Sequence, residues 1–188
     1  MGDSGDVIAE LTSDHREVEE LFSQFEGTPP DSEERKRLAD EITIELVRHA
    51  VAEEEHLYPA VREHLEGGGV LADREIAGHE RVEQLLKELE GRESGDLEFN
   101  RLMVKLRTEV TAHVRDEEND LFPRLREGVH SFILESLGRK VREAKKSAPT
   151  RPRPSAPSTP PAIKLLAPGL GLVDRTRDFL TGRGQGRP

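Results

Sequence analysis

With 188 residues, 35% of them charged, 4% aromatic and none cysteine, the chain has room for one domain and a tail, and it excludes disulfides and thiolate ligands. No apolar run approaches the about eighteen residues of a membrane span, and the first residues lack the basic start and apolar core of a secretory leader, so the cytoplasm is the expected compartment. The net charge of −10 divides unevenly: residues 140–188 hold eleven Lys and Arg against three Asp and Glu, and residues 1–139 hold seventeen against thirty-five, a body acidic enough to repel nucleic acid and anionic membranes as partners.

Ser4 or Asp6 can cap a first helix, with Ile8, Leu11, Val18, Phe22 and Phe25 at the spacing of a buried stripe, stopped by Gly27-Thr-Pro-Pro30. A second helix starts near Asp31, places Ile42, Leu46, Ala50, Leu57 and Val61 inward, and ends at Gly67-Gly-Gly69. A third runs from about Leu71 to Glu90 with Ile76, Val82, Leu86 and Leu89 on its stripe. After Gly95 a fourth buries Phe99, Leu102, Leu106, Val110, Leu121 and Leu125. Pro59 and Pro123 fall inside helical patterns and should bend or restart helices two and four, since proline lacks the N–H and crowds the carbonyl four residues back. A shorter helix from about His130 to Lys146 follows, with Phe132, Ile133, Leu137 and Val141 expected to pack on the bundle's end. Residues 147–162 read as a Pro/Ser/Thr/Arg linker, and Leu170 to Leu180 as one or two weakly amphipathic helical turns. The expected architecture is therefore an all-α, up-down-up-down four-helix bundle over residues 1–146 with an appended helix, followed by a basic, Pro-rich tail over 147–188.

The chain repeats itself. His49-Ala-Val-Ala-Glu53-Glu-Glu-His-Leu-Tyr-Pro59 returns 64 residues later as His113-Val-Arg-Asp-Glu117-Glu-Asn-Asp-Leu-Phe-Pro123, and Asp14-His15-Arg-Glu-Val-Glu19 returns as Gly78-His79-Glu-Arg-Val-Glu83 at the same offset. Each copy carries a histidine followed four residues later by a carboxylate, which stacks the two on one helix face. His15 falls between Leu11 and Val18, His49 follows Leu46, His79 lies between Ile76 and Val82, and His113 follows Val110, so one histidine per helix points at the bundle axis, with Glu53 and Glu117 continuing the line. Buried ionised carboxylates are strongly unfavourable without a partner, and two at one level repel each other; cations between them remove both problems. Lone histidines on apolar faces are usually ordinary core residues, but four at matching height require that explanation four times over. His56, His64 and His130 lack repeat partners and read as surface residues.

The donors are nitrogen and carboxylate without sulfur. Six or more of them at one level suit two bridged octahedral-type ions, with non-haem iron first among the choices and other divalent metals as alternatives. The ferritin-like pattern of Glu-x-x-His on two helices is met by Glu53 and His56 but fails in the repeat, where Asp120 stands. The order His15, His49-x-x-x-Glu53, His79, His113-x-x-x-Glu117, with Tyr58-Pro59 and Phe122-Pro123 following, resembles the hemerythrin-like HHE cation-binding family over residues 1 to about 146.

That resemblance implies a pair of iron ions with an oxo or hydroxo bridge, His15 and His49 serving one ion, His79 and His113 the other, and Glu53 and Glu117 bridging. Oxygen-carrying hemerythrins place a fifth histidine where this chain has Glu83, whose repeat mate is Glu19. Glu83 is expected to ligate, favouring ferric iron and peroxide or nitric oxide chemistry or sensing over reversible oxygen carriage; the alternatives are an outer role beside the ligands or an open coordination position in its place. Glu19, at the edge of its stripe, is a candidate for an outer role. The hydroxyl of Tyr58 either hydrogen-bonds a ligand carboxylate or a bound oxygen species, or packs like Phe122. Asp14, Glu54 and Glu118 adjoin ligands and could orient imidazoles, although a helix turns each neighbour away by about 100°. The functions implied are binding or sensing of dioxygen, nitric oxide or peroxide, or enzymatic peroxide consumption from the same centre. Metal storage and a structural interaction module rank below these.

Overall fold

The computed structural model describes residues 5–154 together with Asp174 and Asp178. Helix α1 spans Val7–Gly27, capped by the Asp6 carboxylate accepting the Ala9 N–H at 2.9 Å. Helix α2 spans Glu33–Ala52, with Ser32 accepting the Arg35 N–H at 3.1 Å, two residues later than the Asp31 start read from the sequence. Short α3 (Tyr58–His64) continues its line. Helix α4 spans Gly68–Leu89, α5 spans Leu97–Asp116 behind the Asp96 cap, α6 covers Phe122–Gly128, and α7 covers Ser131–Ser147. Helix α1, the α2–α3 line, α4 and the α5–α6 line form the four-helix bundle, with α1 against α2 and α4 against α5. No helix among the described residues is long and apolar enough to cross a membrane.

The glycine run behaves differently from the sequence expectation. Only Gly67, at φ 69°, makes the turn. Gly68 belongs to the first turn of α4, because a Cβ there would stand 2.0 Å from the Val61 carbonyl oxygen; glycine lets α4 begin directly against α3.

At Pro59 and Pro123 the helices neither stop nor kink freely. They pass through single π-turns, Glu53–Leu57 and Glu117–Leu121, before α3 and α6 resume. The Tyr58 N–H reaches back five residues to the Glu53 carbonyl, and the Phe122 N–H to that of Glu117. On an α-helix a residue five positions on lies about 140° around the axis. The wider turn reduces that offset, so Glu53, Leu57 and Tyr58 are all buried at one face.

Two apolar clusters fill the bundle. One gathers Leu11, Ala52, Leu57, Ala72, Leu121 and Leu125; the other gathers Val18, Leu46, Val82, Leu86, Leu106 and Val110. His15, His49, His79, Glu53 and Glu117, all buried, fall between the two along every helix, with half-buried His113 at the same height. The bundle is thus a hydrophobic core cut by one polar layer.

Helix α7 lies along α1 and α2 rather than across the bundle's end. Gly138 meets the backbone of residues 5–7, and Lys145 reaches Asp14, ten or so ångströms further on by the about 1.5 Å rise per helical residue. Leu134, Leu137, Val141 and Ala144 are its buried stripe, with Ile133 partly buried; Phe132, expected to pack inward, is 67% exposed because it sits on the opposite face. The start of the linker packs against the body. Residues 148–152 are buried, and Arg151 bonds Glu90, the residue just past α4, at 3.2 Å. Of the helical turns expected over 170–180, only Asp174 and Asp178 lie within the described residues, and both are helical and buried; the rest fall outside them.

Candidate metal centre

The π-turns and the 64-residue repeat bring the polar layer to a point. Glu53 lies one helical turn after His49 and Glu117 one turn after His113, and all carboxylate surface of both glutamates is excluded from solvent. Three groups of donor atoms, each within 4.8 Å of one another, form there: His15, His49, Glu53 and Glu117; Glu53, His79 and His113; and Glu75, His113 and Glu117. Glu53 and Glu117 belong to groups on both sides. The rings pair correspondingly, His15 with His49 at 5.0 Å between centroids and His79 with His113 at 4.7 Å.

All four imidazoles aim Nε2 inward. His49 Nε2 is 3.2 Å and His79 Nε2 3.1 Å from Glu53 Oε2; His15 Nε2 is 3.4 Å and His113 Nε2 3.6 Å from Glu117 Oε2. All four aim Nδ1 outward at a carboxylate from a different helix. His15 meets Glu118 at 2.9 Å, His49 meets Asp14 at 3.2 Å, His79 meets Glu54 at 3.0 Å and His113 meets Glu75 at 3.2 Å. The 100° turn that carries Asp14, Glu54 and Glu118 away from the adjacent ligand on their own helix is what points them at the histidine of the neighbouring helix. A carboxylate at Nδ1 keeps the proton there, so a neutral ring presents its Nε2 lone pair to the centre.

Glu75 was not foreseen. Asp14 has Gly78 as its repeat mate, so symmetry leaves His113 without an acceptor. Glu75, three residues before Gly78 and 2% exposed, supplies it and is itself held by Arg74 at 2.7 Å. Gly78 leaves the space: a Cβ there would lie 3.2 Å from His113 Nδ1. The readable signal was an acid on the inward stripe one turn before His79, together with a missing repeat partner.

The ends of the site differ. The Tyr58 hydroxyl stands 3.2 Å from Glu53 Oε2, 3.1 Å from Glu117 Oε1 and 3.1 Å from His79 Nε2, and can donate to one of them at a time. Its repeat mate Phe122 has no hydroxyl and stacks on His15, 5.8 Å away and nearly parallel. Glu83 stands outside the three donor groups; its carboxylate accepts the Arg153 backbone N–H at 2.6 Å. Glu19 is largely exposed and bonds Arg16 at 3.0 Å. His56 lies half-buried beside Glu55, half-buried His64 is 4.0 Å from Glu63, and exposed His130 caps α7.

Electrostatics mark the layer as cation-seeking. Burial alone would favour neutral rings, yet the hydrogen bonds and charges of Glu53 and Glu54 push His79 up to about 10. His49 is likewise raised well above the usual histidine value, against burial, by Glu53 and Asp14. Burial would raise Glu53, but His49 and His79 hold it well below the carboxylate range. Burial, then the charges of Glu117 and Glu53, keeps Tyr58 protonated far above the ordinary phenol value. Even so, His15 Nε2, His49 Nε2, Glu53 Oε1 and Glu117 Oε2 are buried without a hydrogen bond among the described residues. Unsatisfied buried polar atoms are rare. Four of them converging, with the Nε2 atoms of His79 and His113 facing each other at 3.2 Å, fit bound cations.

Fold and site together define a helical bundle whose interior is built to hold cations between its helices. The profile of the hemerythrin HHE cation-binding domain matches residues 6–125, and the chain belongs to that family. An uncharacterized hemerythrin-like protein of Schizosaccharomyces pombe is 24% identical over 90% of this chain and 84% of its own length. A protein of Nostoc named as a DNA nickase is 29% identical over 72% of this chain, which spans 38% of that relative's length. The crystal structure of a hemerythrin HHE cation-binding domain-containing protein from Mycobacterium kansasii superposes with a TM-score of 0.67 at 26% identity, covering 76% of this chain and 86% of that one.

Proposed function

We propose that this layer holds two iron ions, His15 and His49 serving one, His79 and His113 the other, with Glu53 and Glu117 shared, and that the protein binds or senses a small oxygen or nitrogen species there. The observation that carries the reading is the orientation of the four imidazoles. Each is clamped at Nδ1 by a carboxylate from another helix, which fixes tautomer and aim together, toward two fully buried carboxylates. Nitrogen and carboxylate donors without sulfur favour iron or a similar divalent ion over zinc in a structural role. Two such ions supply one-electron chemistry and positions for a small ligand.

Beside the layer lies a cavity of about 30 Å³, faced by the four histidines with Val18, Leu46, Val82 and Val110. A water needs roughly 10–15 Å³ by the same kind of measure, so the space has room for a diatomic molecule or peroxide. In this reading Glu83 is no ligand, since its carboxylate is engaged by Arg153.

A second reading, peroxide consumption, is favoured by Tyr58. A buried hydroxyl within hydrogen-bonding reach of both shared carboxylates can deliver a proton to a ligand between them and recover it. Burial and the charges of Glu117 and Glu53 raise the proton affinity of the phenol, so a proton given up there is readily regained. Storage fits poorly with a layer that has donors for two ions, and an acidic body argues against nucleic acid as partner.

Metal analysis and an optical spectrum of protein purified from aerobic cells test the centre. About two irons per chain with near-ultraviolet charge-transfer bands are expected; one zinc, or no metal after loading with ferrous iron, overturns the reading. Oxygen evolution from added peroxide, compared with free iron, then separates the two functions.

A further inference from the structure

The repeat makes Glu19 and Glu83 equivalent in sequence, yet they are treated differently. Glu19 is an exposed surface group paired with Arg16. Glu83 is half-buried, one turn beyond His79 on the same face of α4, and its one hydrogen-bond donor among the described residues is a main-chain N–H, that of Arg153. No arginine or lysine side chain among the described residues bonds it. Burial accordingly raises its carboxyl above the usual range, with the nearby Glu54 charge adding to the effect.

The segment that supplies the N–H is anchored on every side. Thr150, 2% exposed, donates its backbone N–H to Asp174 and its hydroxyl to Asp178; Arg151 joins Asp178 at 2.6 Å and Glu90 at 3.2 Å; Arg153 also pairs with Asp174. It runs along α4 from Glu90 back toward Glu83, that is, toward His79 and the polar layer. Among the described residues, the repeat-related face of α1 carries no such cover over Glu19, which is largely exposed. A carboxylate held by one neutral donor, one turn from a metal-ligand candidate, would be drawn to a cation in the layer if that donor were withdrawn.

We infer that residues 150–153 form a latch that holds Glu83 out of the ligand set and so keeps one coordination position open on the His79 and His113 side. This rests on the reading of the layer as a metal centre. Arg153 is a positioning residue here through its backbone, not its side chain. With the latch closed, a small anion has a position to occupy; with it open, Glu83 fills that position and adds a negative charge that repels the anion.

The full-length protein with Arg153→Pro removes the N–H and leaves Glu83 intact. Azide titrated into the iron-loaded protein, followed by its charge-transfer band, reads the open position directly. Wild type is expected to bind azide at both ions, R153P to bind it at least tenfold more weakly at one of the two while iron content and the other ion's affinity stay unchanged, and R153P/E83Q to regain the second site, because glutamine is a poor ligand for iron. Hydrogen exchange of the Arg153 amide in metal-free protein should be slow in wild type and fast in E83A. Equal azide affinity in wild type and R153P at equal iron content overturns the latch alone, as does a loss that E83Q fails to restore. A wild type that takes up no iron overturns the metal reading and the latch with it.

Discussion

Replacing Glu75 by alanine separates the two halves of the proposed centre. The substitution removes the acceptor 3.2 Å from His113 Nδ1 and leaves the four inward Nε2 atoms, both shared carboxylates and the other three Nδ1 partners in place. Arg74, 45% exposed, is returned to water rather than stranded. Loss of a partner that orients a ligating imidazole costs about 10- to 100-fold in metal affinity, which is ~1.4–2.7 kcal/mol of binding free energy. That loss falls on the ion served by His79 and His113, since Glu75 touches no residue of the His15 and His49 pair. Dialysis of loaded protein against graded chelator should therefore show one ion leaving E75A at about 10- to 100-fold lower chelator than wild type, and the second leaving as before. Because bound metal stabilises only the folded state, the loaded variant should melt lower by ~3–10 °C, at about 2–4 °C per kcal/mol for a chain of this size. If E75A keeps both ions through the same chelator series, the claim that cross-helix carboxylates aim the imidazoles is refuted.

Other consequences follow from the same geometry. Gly78→Ala places a methyl 3.2 Å from His113 Nδ1 on a ring that Glu75 holds fast, so metal affinity on that side should fall several-fold, while in the metal-free protein the same crowding offsets the about 1 kcal/mol gained from the better helix former; denaturant melts should move more with metal than without it. Tyr58→Phe copies the repeat mate Phe122 and should preserve the fold and iron content, with the metal-free protein weakened by about 1 kcal/mol through the lost hydrogen bonds; iron loss comparable to that of E75A would contradict the placement of the hydroxyl. Metal-free protein holds a proton on His79, pushed up to about 10, so iron uptake at neutral pH should release protons measurable in a pH-stat, and affinity should rise with pH. The raised His79 also stabilises the metal-free fold fully below the ordinary histidine value of about 6.5, and that contribution should fade as pH rises toward 10; a metal-free protein equally stable to urea at pH 6 and 10 would argue against it.

Helix count, helix faces and the height of the polar layer were legible in the residues, because one inward stripe per helix obeys a 3.6-residue period and the repeat states each position twice. His15, His49, His79 and His113 stand on those stripes beside Leu11, Leu46, Val82 and Val110, and no tertiary information is needed to see that a buried row of such groups asks for cations. What the residues left open depends on distances between helices. Asp14, Glu54 and Glu118 face away from the ligands on their own helices, and only the packing of four helices shows that this turn delivers each to the histidine next door. Glu75 replaces a missing Asp14 equivalent because α4 and α5 approach closely at Gly78. Pro59 and Pro123 announce a disturbance, but whether the chain breaks or widens into a π-turn is settled by burial of Leu57 and Tyr58 against the rest of the core. The fate of Glu83 belongs to contacts farthest apart in sequence: a linker composition has no period to read, and only the folded chain brings the Arg153 amide, 70 residues away, onto that carboxylate.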